Sequence, residues 1–127
     1  MSNHKIIITE SAPAAIGPYS QAVCSGDLVF VSGQLGIDPK TGQMVEGGIK
    51  KQTQQALENI KAILSQESLT MANVVQVQVF LADIKDFAAM NQIYAAYFIQ
   101  PYPARAAIQA AALPKGGLVE IMAVASK

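Results

Sequence analysis

The sequence predicts an α+β layer, one mixed six-stranded sheet with two helices on one face. Three observations carry that prediction. Two segments with the apolar spacing of an amphipathic helix stand apart, separated by a stretch in which apolar and polar residues alternate. Short apolar runs divided by turn residues flank both ends of the chain, as hairpins do. The 127 residues make one domain, residues 1–127, so all of these elements share a core.

In chain order, residues 5 to 8 (KIII) read as a first strand, ended by the loop TESAPAAIGP. Tyr19 to Cys24 and Leu28 to Ser32 form a hairpin around Ser25-Gly26-Asp27. Pro39 and Gly42 punctuate the turn-rich DPKTGQMVEGG. From Ile49 to about Gln66, the apolar residues Ala56, Leu57, Ile60, Ile63 and Leu64 fall on one helical face. Val74 to Leu81 alternates, with Val75, Val77, Val79 and Leu81 on one side and Gln76 and Gln78 on the other. Asp83 is placed to cap a second helix over roughly 85 to 98, whose stripe is Phe87, Met90, Tyr94, Tyr97 and Phe98. The bend QPYPAR leads to a strand near 105 to 111, LPKGG turns the chain, and Leu118 to Ala125 is the last strand. The order is β-β-β-α-β-α-β-β.

Composition adds an oligomer. Hydrophobic residues make up 51% and charged residues 14%, against roughly 25% charged in a typical soluble domain. A small domain cannot hide so much apolar surface internally. The last strand, LVEIMAVA, is apolar on both faces, so a second subunit is expected to cover the face turned away from the helices.

Other classes are excluded by count. Net charge is zero and the lysines are scattered, so no basic stripe awaits a phosphate backbone. A single cysteine, Cys24, forbids an internal disulfide and suits a cytoplasmic setting. His4 and Cys24 are too few for a tetrahedral zinc site, and a histidine triad would have to use His4 beside a terminus. The N-terminal apolar run is too short for a signal peptide, and no stretch is long enough to span a membrane. Neither GxGxxG nor GxxxxGK[ST] occurs, so no nucleotide cofactor is expected.

Several residues break their local pattern, as functional residues tend to do. Arg105 is the only arginine, set in a run of small apolar residues. It is either a surface cation at a strand start or a planar fork for a carboxylate or phosphate. Glu120 interrupts the final apolar strand on the face of Leu118, Met122 and Val124. An isolated carboxylate there either caps backbone N–H groups, pairs with a lysine, or holds and activates a water. Asn91 falls on the inward face of the second helix, where it satisfies a nearby loop or serves a site. Tyr19 begins a strand behind Gly17-Pro18, as a core aromatic or a site hydroxyl. Ser32-Gly33-Gln34 ends a strand with a glycine that permits close approach of another group. Cys24 reads as an inert buried thiol. On the residues alone, the reading stops at a small anion site with a carboxylate able to direct water.

The stretches APAAIGPYSQA, VFVSGQLGIDPKTG, QTQQALENIKAIL, VQVFLADIKDFAAMNQIYAAYF, PARAAIQAAALP and VEIMAVA closely resemble the Rid family. This is the RidA-type branch of reactive intermediate deaminases, also known as the YjgF or L-PSP endoribonuclease family. The resemblance implies a chorismate-mutase-like α+β fold and a homotrimer with clefts between subunits. It also implies cofactor-free hydrolysis of 2-aminoacrylate, in equilibrium with 2-iminopropanoate, to a 2-oxo acid and ammonia. By the same resemblance Arg105 grips the substrate carboxylate, Glu120 positions and activates water, and Tyr19, Ser32, Gly33 and Asn91 line the cleft. Two departures concern the site: Ala107 stands where many relatives have cysteine, and Met122 where many have a second acid. Two rival readings remain, a non-catalytic trimer that senses small 2-oxo acids and the older ribonuclease or translation-inhibitor assignment. Zero net charge argues against the last.

Overall fold

The computed structural model describes residues 4–127. Its strands are β1 (His4–Ile7), β2 (Ala22–Ser25), β3 (Leu28–Leu35), β4 (Val74–Leu81), β5 (Ala104–Gln109) and β6 (Val119–Ser126). The helices are α1 (Gly48–Ser65) and α2 (Phe87–Ala95). The six strands form one sheet in the order β1-β2-β3-β6-β4-β5. Every pairing is antiparallel except β4 with β5, which α2 connects as a parallel crossover. The mixed sheet with two helices is therefore as the periodicities predict.

The core lies between the sheet and the helices. Leu57, Ile60, Ile63 and Leu64 of α1 and Met90 of α2 are fully buried, as are Val29, Val31, Val77, Val79, Val119 and Ile121 of the sheet. Burying each such side chain stabilises by roughly 1.5–3 kcal/mol. Buried amides fasten the layers. Asn59 of α1 donates to the carbonyls of Leu35 and Ile37, and Gln52 accepts the N–H of Leu118 at 2.8 Å.

The differences from the sequence reading are local. Val75 is exposed, because the β4–β6 register slips between Val74 and Gln76 and Val74 takes the inward place. Tyr19 does not begin a strand: it lies before β2, its N–H donates to the carbonyl of Gly17, and it is 54% exposed. Ser32, Gly33 and Gln34 lie inside β3 rather than at its end. The second helical segment divides in two. Asp83 accepts the N–H of Lys85 and caps a 3-10 turn over Ile84–Asp86; α2 then ends at Ala95, leaving Tyr97 and Phe98 beyond it.

An ionic cluster ties the ends of the described chain together. The Glu67 carboxylate accepts from Lys5 Nζ at 2.8 Å and lies 3.4 Å from Lys127 Nζ. The hydrogen bond from Lys5 leads in holding the Glu67 carboxyl below its ordinary value. A carboxyl whose folded value is depressed stabilises above its unfolded value, and that contribution is lost as pH falls through the folded one. Glu67→Gln is therefore expected to lower the melting temperature at neutral pH, with the gap to wild type closing in acid. Thermal melts across pH check this, and a gap that persists unchanged in acid contradicts it.

Candidate active site

Glu120 occupies the centre of the sheet, opposite Leu35 of β3 and Phe80 of β4. Its neighbours Val119 and Ile121 point into the core, so alternation turns Glu120 to the outer face with Met122 and Val124. Among the described residues, no ion pair or hydrogen bond holds its carboxylate, so neither structural alternative raised by the sequence applies. Burial alone pushes its carboxyl above the ordinary value.

The approach to Glu120 depends on an irregularity in β3. The β3–β6 register slips between Val31 and Gln34, which brings Gly33 against the carboxylate. A Cβ at Gly33 would lie 2.9 Å from Glu120 Cδ. Gly33→Ala is therefore expected to displace the Glu120 side chain, and a crystal structure of the variant checks this; an unmoved Glu120 contradicts the close approach.

Next to Gly33, the Ser32 hydroxyl donates to the carbonyl of Ser20 at 2.6 Å, and the Ser32 N–H donates to the carbonyl of Gln21. Gln21 in turn donates to the carbonyls of Thr9, Ala12 and Pro13 and accepts the N–H of Thr9. These bonds fasten the loop carrying Tyr19 onto β3. The result is an open cleft of about 770 Å³ with Tyr19, Ser32, Gly33 and Glu120 in its wall. Lys115 and Met122 line it too. The sequence reading missed Lys115, which sits in the left-handed region with φ 57. Its place before Gly116-Gly117 was the available signal.

Arg105 and Asn91 lie elsewhere. Arg105 on β5 is opposite Val77 of β4, whose side chain is buried under the helices, so Arg105 shares the helical face. Its guanidinium carbon lies 4.6 Å from the ring centroid of Tyr94 and 5.3 Å from that of Phe87. Its Nη1 donates to Asn91 Oδ1 at 2.6 Å. Phe87, Asn91 and Tyr94 lie four and three residues apart, one face of α2. Arg105 remains exposed beyond them.

The structure thus brings the site residues together as two sets. Val77 points to the helices and Phe80, three residues on, to the outer face; Arg105 follows the first and Glu120 the second. Within the chain the arginine and the glutamate lie on opposite faces of the sheet. Among the described residues, no three His, Cys, Asp or Glu side chains gather to hold a metal, and no helix is long and apolar enough to cross a membrane.

The family described as Endoribonuclease L-PSP matches residues 9–127. A relative from Capra hircus, named 2-iminobutanoate/2-iminopropanoate deaminase, is 55% identical over 121 residues, 95% of this chain and 88% of that one. Among solved structures, RidA from an Antarctic Psychrobacter superposes with TM-score 0.93 at 50% identity, covering 97% of this chain and 99% of that one. E. coli TdcF, solved with bound serine, superposes with TM-score 0.91 at 40% identity, covering 97% and 98%.

Proposed function

The chain belongs to the Endoribonuclease L-PSP family, which includes the Rid proteins, and on that premise we propose that it hydrolyses 2-imino acids at a site built from Arg105 and Glu120. It acts as a deaminase on 2-iminopropanoate and 2-iminobutanoate, the two acids in its relatives' name, and on the enamine tautomers in equilibrium with them.

The protonated imine is already electrophilic at C2, so the protein has only to fix the substrate and deliver water. Arg105 receives the carboxylate on the planar fork. Glu120 takes a proton from water as the water oxygen bonds to C2, giving a carbinolamine. Glu120 then passes that proton to the amine nitrogen and takes the proton of the carbinolamine hydroxyl as the C–N bond breaks and C=O forms; this last proton leaves with the ammonia as ammonium, and the 2-oxo acid is released. Tyr19, Ser32, Gly33 and Asn91 act as substrate-side residues, the first three around Glu120 and Asn91 through Arg105. The observation that carries this reading is the Glu120 carboxylate, unpaired and half-buried in a cleft, with burial raising its basicity. The coupled test is a serine or threonine dehydratase assay followed by 2-oxo acid release. Addition of the protein is expected to speed release at constant dehydratase; an unchanged rate refutes the reaction.

Because the two sets of residues lie on opposite faces, we place the working site between subunits of a homotrimer, Arg105 from one and Glu120 from the next. The outer face supports this: Phe30 is 45% exposed and Leu28 38%, on the same side as Val124 and Met122. Light scattering is expected to give three times the 13.4 kDa chain mass; a stable monomer contradicts it. The lone cysteine, buried as Cys24, suits a reducing cytoplasm.

A further inference from the structure

An arginine on an edge strand has long-chain freedom, and a guanidinium that rotates freely presents its donors in no fixed plane. Arg105 is held otherwise. One nitrogen is committed to Asn91 Oδ1 at 2.6 Å, and its guanidinium carbon lies within 5.3 Å of two ring centroids. Two-point attachment of this kind fixes both the plane and the rotation within it. Of its five N–H donors, one is used by Asn91, and stacking leaves the in-plane donors free for two parallel bonds to a carboxylate.

The Tyr94 hydroxyl is buried and makes no hydrogen bond of good geometry, and burial raises its phenol above the ordinary value, with the nearby Arg105 opposing that rise. The ring face lies against Arg105 as well, at 4.6 Å. Phe87 provides the second ring, one helical turn before Asn91, and Tyr94 follows one turn after it. The three side chains form a cradle along one stripe of α2.

We infer that Tyr94, with Phe87 and Asn91, is a positioning residue for the reaction: its ring face sets the plane in which Arg105 meets the substrate carboxylate. This rests on the imine-hydrolysis reading for the identity of the ligand, though the cradle itself does not. Tyr94 does not touch the reacting atoms and acts through Arg105. Its effect falls on carboxylate capture, common to ground and transition states, and so on KM.

The composition supplies a clean probe, since Arg105 is the only arginine in the chain. In protein labelled with 15N at arginine, the single guanidinium Nε–H signal reports this site alone. Wild type is expected to show that proton shifted upfield of free arginine by the rings. Tyr94→Phe should keep the shift, and Tyr94→Leu should move the signal back toward the free position. In the dehydratase-coupled assay, Tyr94→Leu should raise KM about tenfold with kcat within about twofold, and Tyr94→Phe, which keeps the ring face, should raise KM by no more than about twofold. An unshifted wild-type signal, or one that Tyr94→Leu leaves in place, overturns the cradle. So does a Tyr94→Leu variant that loses kcat at unchanged KM. A shifted signal in a wild type that does not hydrolyse imines would refute the reaction and leave the cradle standing, so the two failures are told apart.

Discussion

Glu120→Gln is expected to lower kcat by about a hundredfold or more, the range in which a positioned general base contributes. Glutamine keeps the size and hydrogen-bonding reach of the side chain but cannot accept the water's proton. Binding of a 2-oxo acid such as pyruvate, read by calorimetry, should remain within about threefold, because the proposed mechanism puts the carboxylate grip on Arg105. The raised carboxyl value also sets two pH dependences. Activity should fall as pH drops through that value, since the protonated acid is no base. Stability runs the other way: a carboxyl raised above its unfolded value costs stability once pH exceeds the unfolded value, and the cost disappears when it is protonated. Glu120→Gln should therefore melt no lower than wild type at neutral pH. Full turnover in this variant would remove Glu120 from the mechanism.

Arg105→Lys is expected to weaken pyruvate binding and raise KM by about tenfold to a hundredfold, with charge conserved. A hydrogen bond to a charged partner contributes roughly 1.5–3 kcal/mol, and each 1.4 kcal/mol is about a factor of ten. Lysine has no planar fork for two parallel bonds and no flat surface to lie on Tyr94 and Phe87. The pair of variants should thus separate, one losing binding and the other turnover. Near-wild-type KM and binding in Arg105→Lys would show that the carboxylate is held elsewhere.

Much of this was legible because the relevant signals are local. The stripe through Ala56, Leu57, Ile60, Ile63 and Leu64 marked α1 to within a residue at each end. The face that Glu120 shares with Met122 and Val124 followed from a period of two, while which side of the sheet that face takes is set by the packing of Val119 and Ile121 under the helices. Val75 failed for the same reason in reverse, because a bulge shifts the period and is set by the partner strand rather than by Val75's neighbours. Tyr19 failed because a Gly-Pro turn and the anchoring of its loop by Gln21 are tertiary choices. Arg105 and Glu120 each stood out as a breach of pattern, yet their separation could not be read from the chain. It depends on which face β5 turns to β4 when it pairs in parallel, and the intervening crossover hides that register. The aromatic neighbours of Arg105 carried a usable signal in the spacing of Phe87, Asn91 and Tyr94.

The central claim is that hydrolysis occurs where Arg105 of one subunit meets Glu120 of the next, and mixing two impaired variants, assayed at substrate well below the wild-type KM, tests it most directly. Arg105→Lys and Glu120→Gln chains, co-expressed in equal amounts and purified as mixed assemblies, carry complementary defects. If each site takes one residue from each of two adjacent subunits in a ring, about a quarter of the sites regain both native groups by random assembly. At substrate well below the wild-type KM, where the rate follows kcat/KM, the mixed preparation should then show about a quarter of the wild-type rate in the coupled assay, well above either variant alone. Turnover no higher than that of the parent variants, in assemblies shown to contain both chains, would contradict a site shared between subunits.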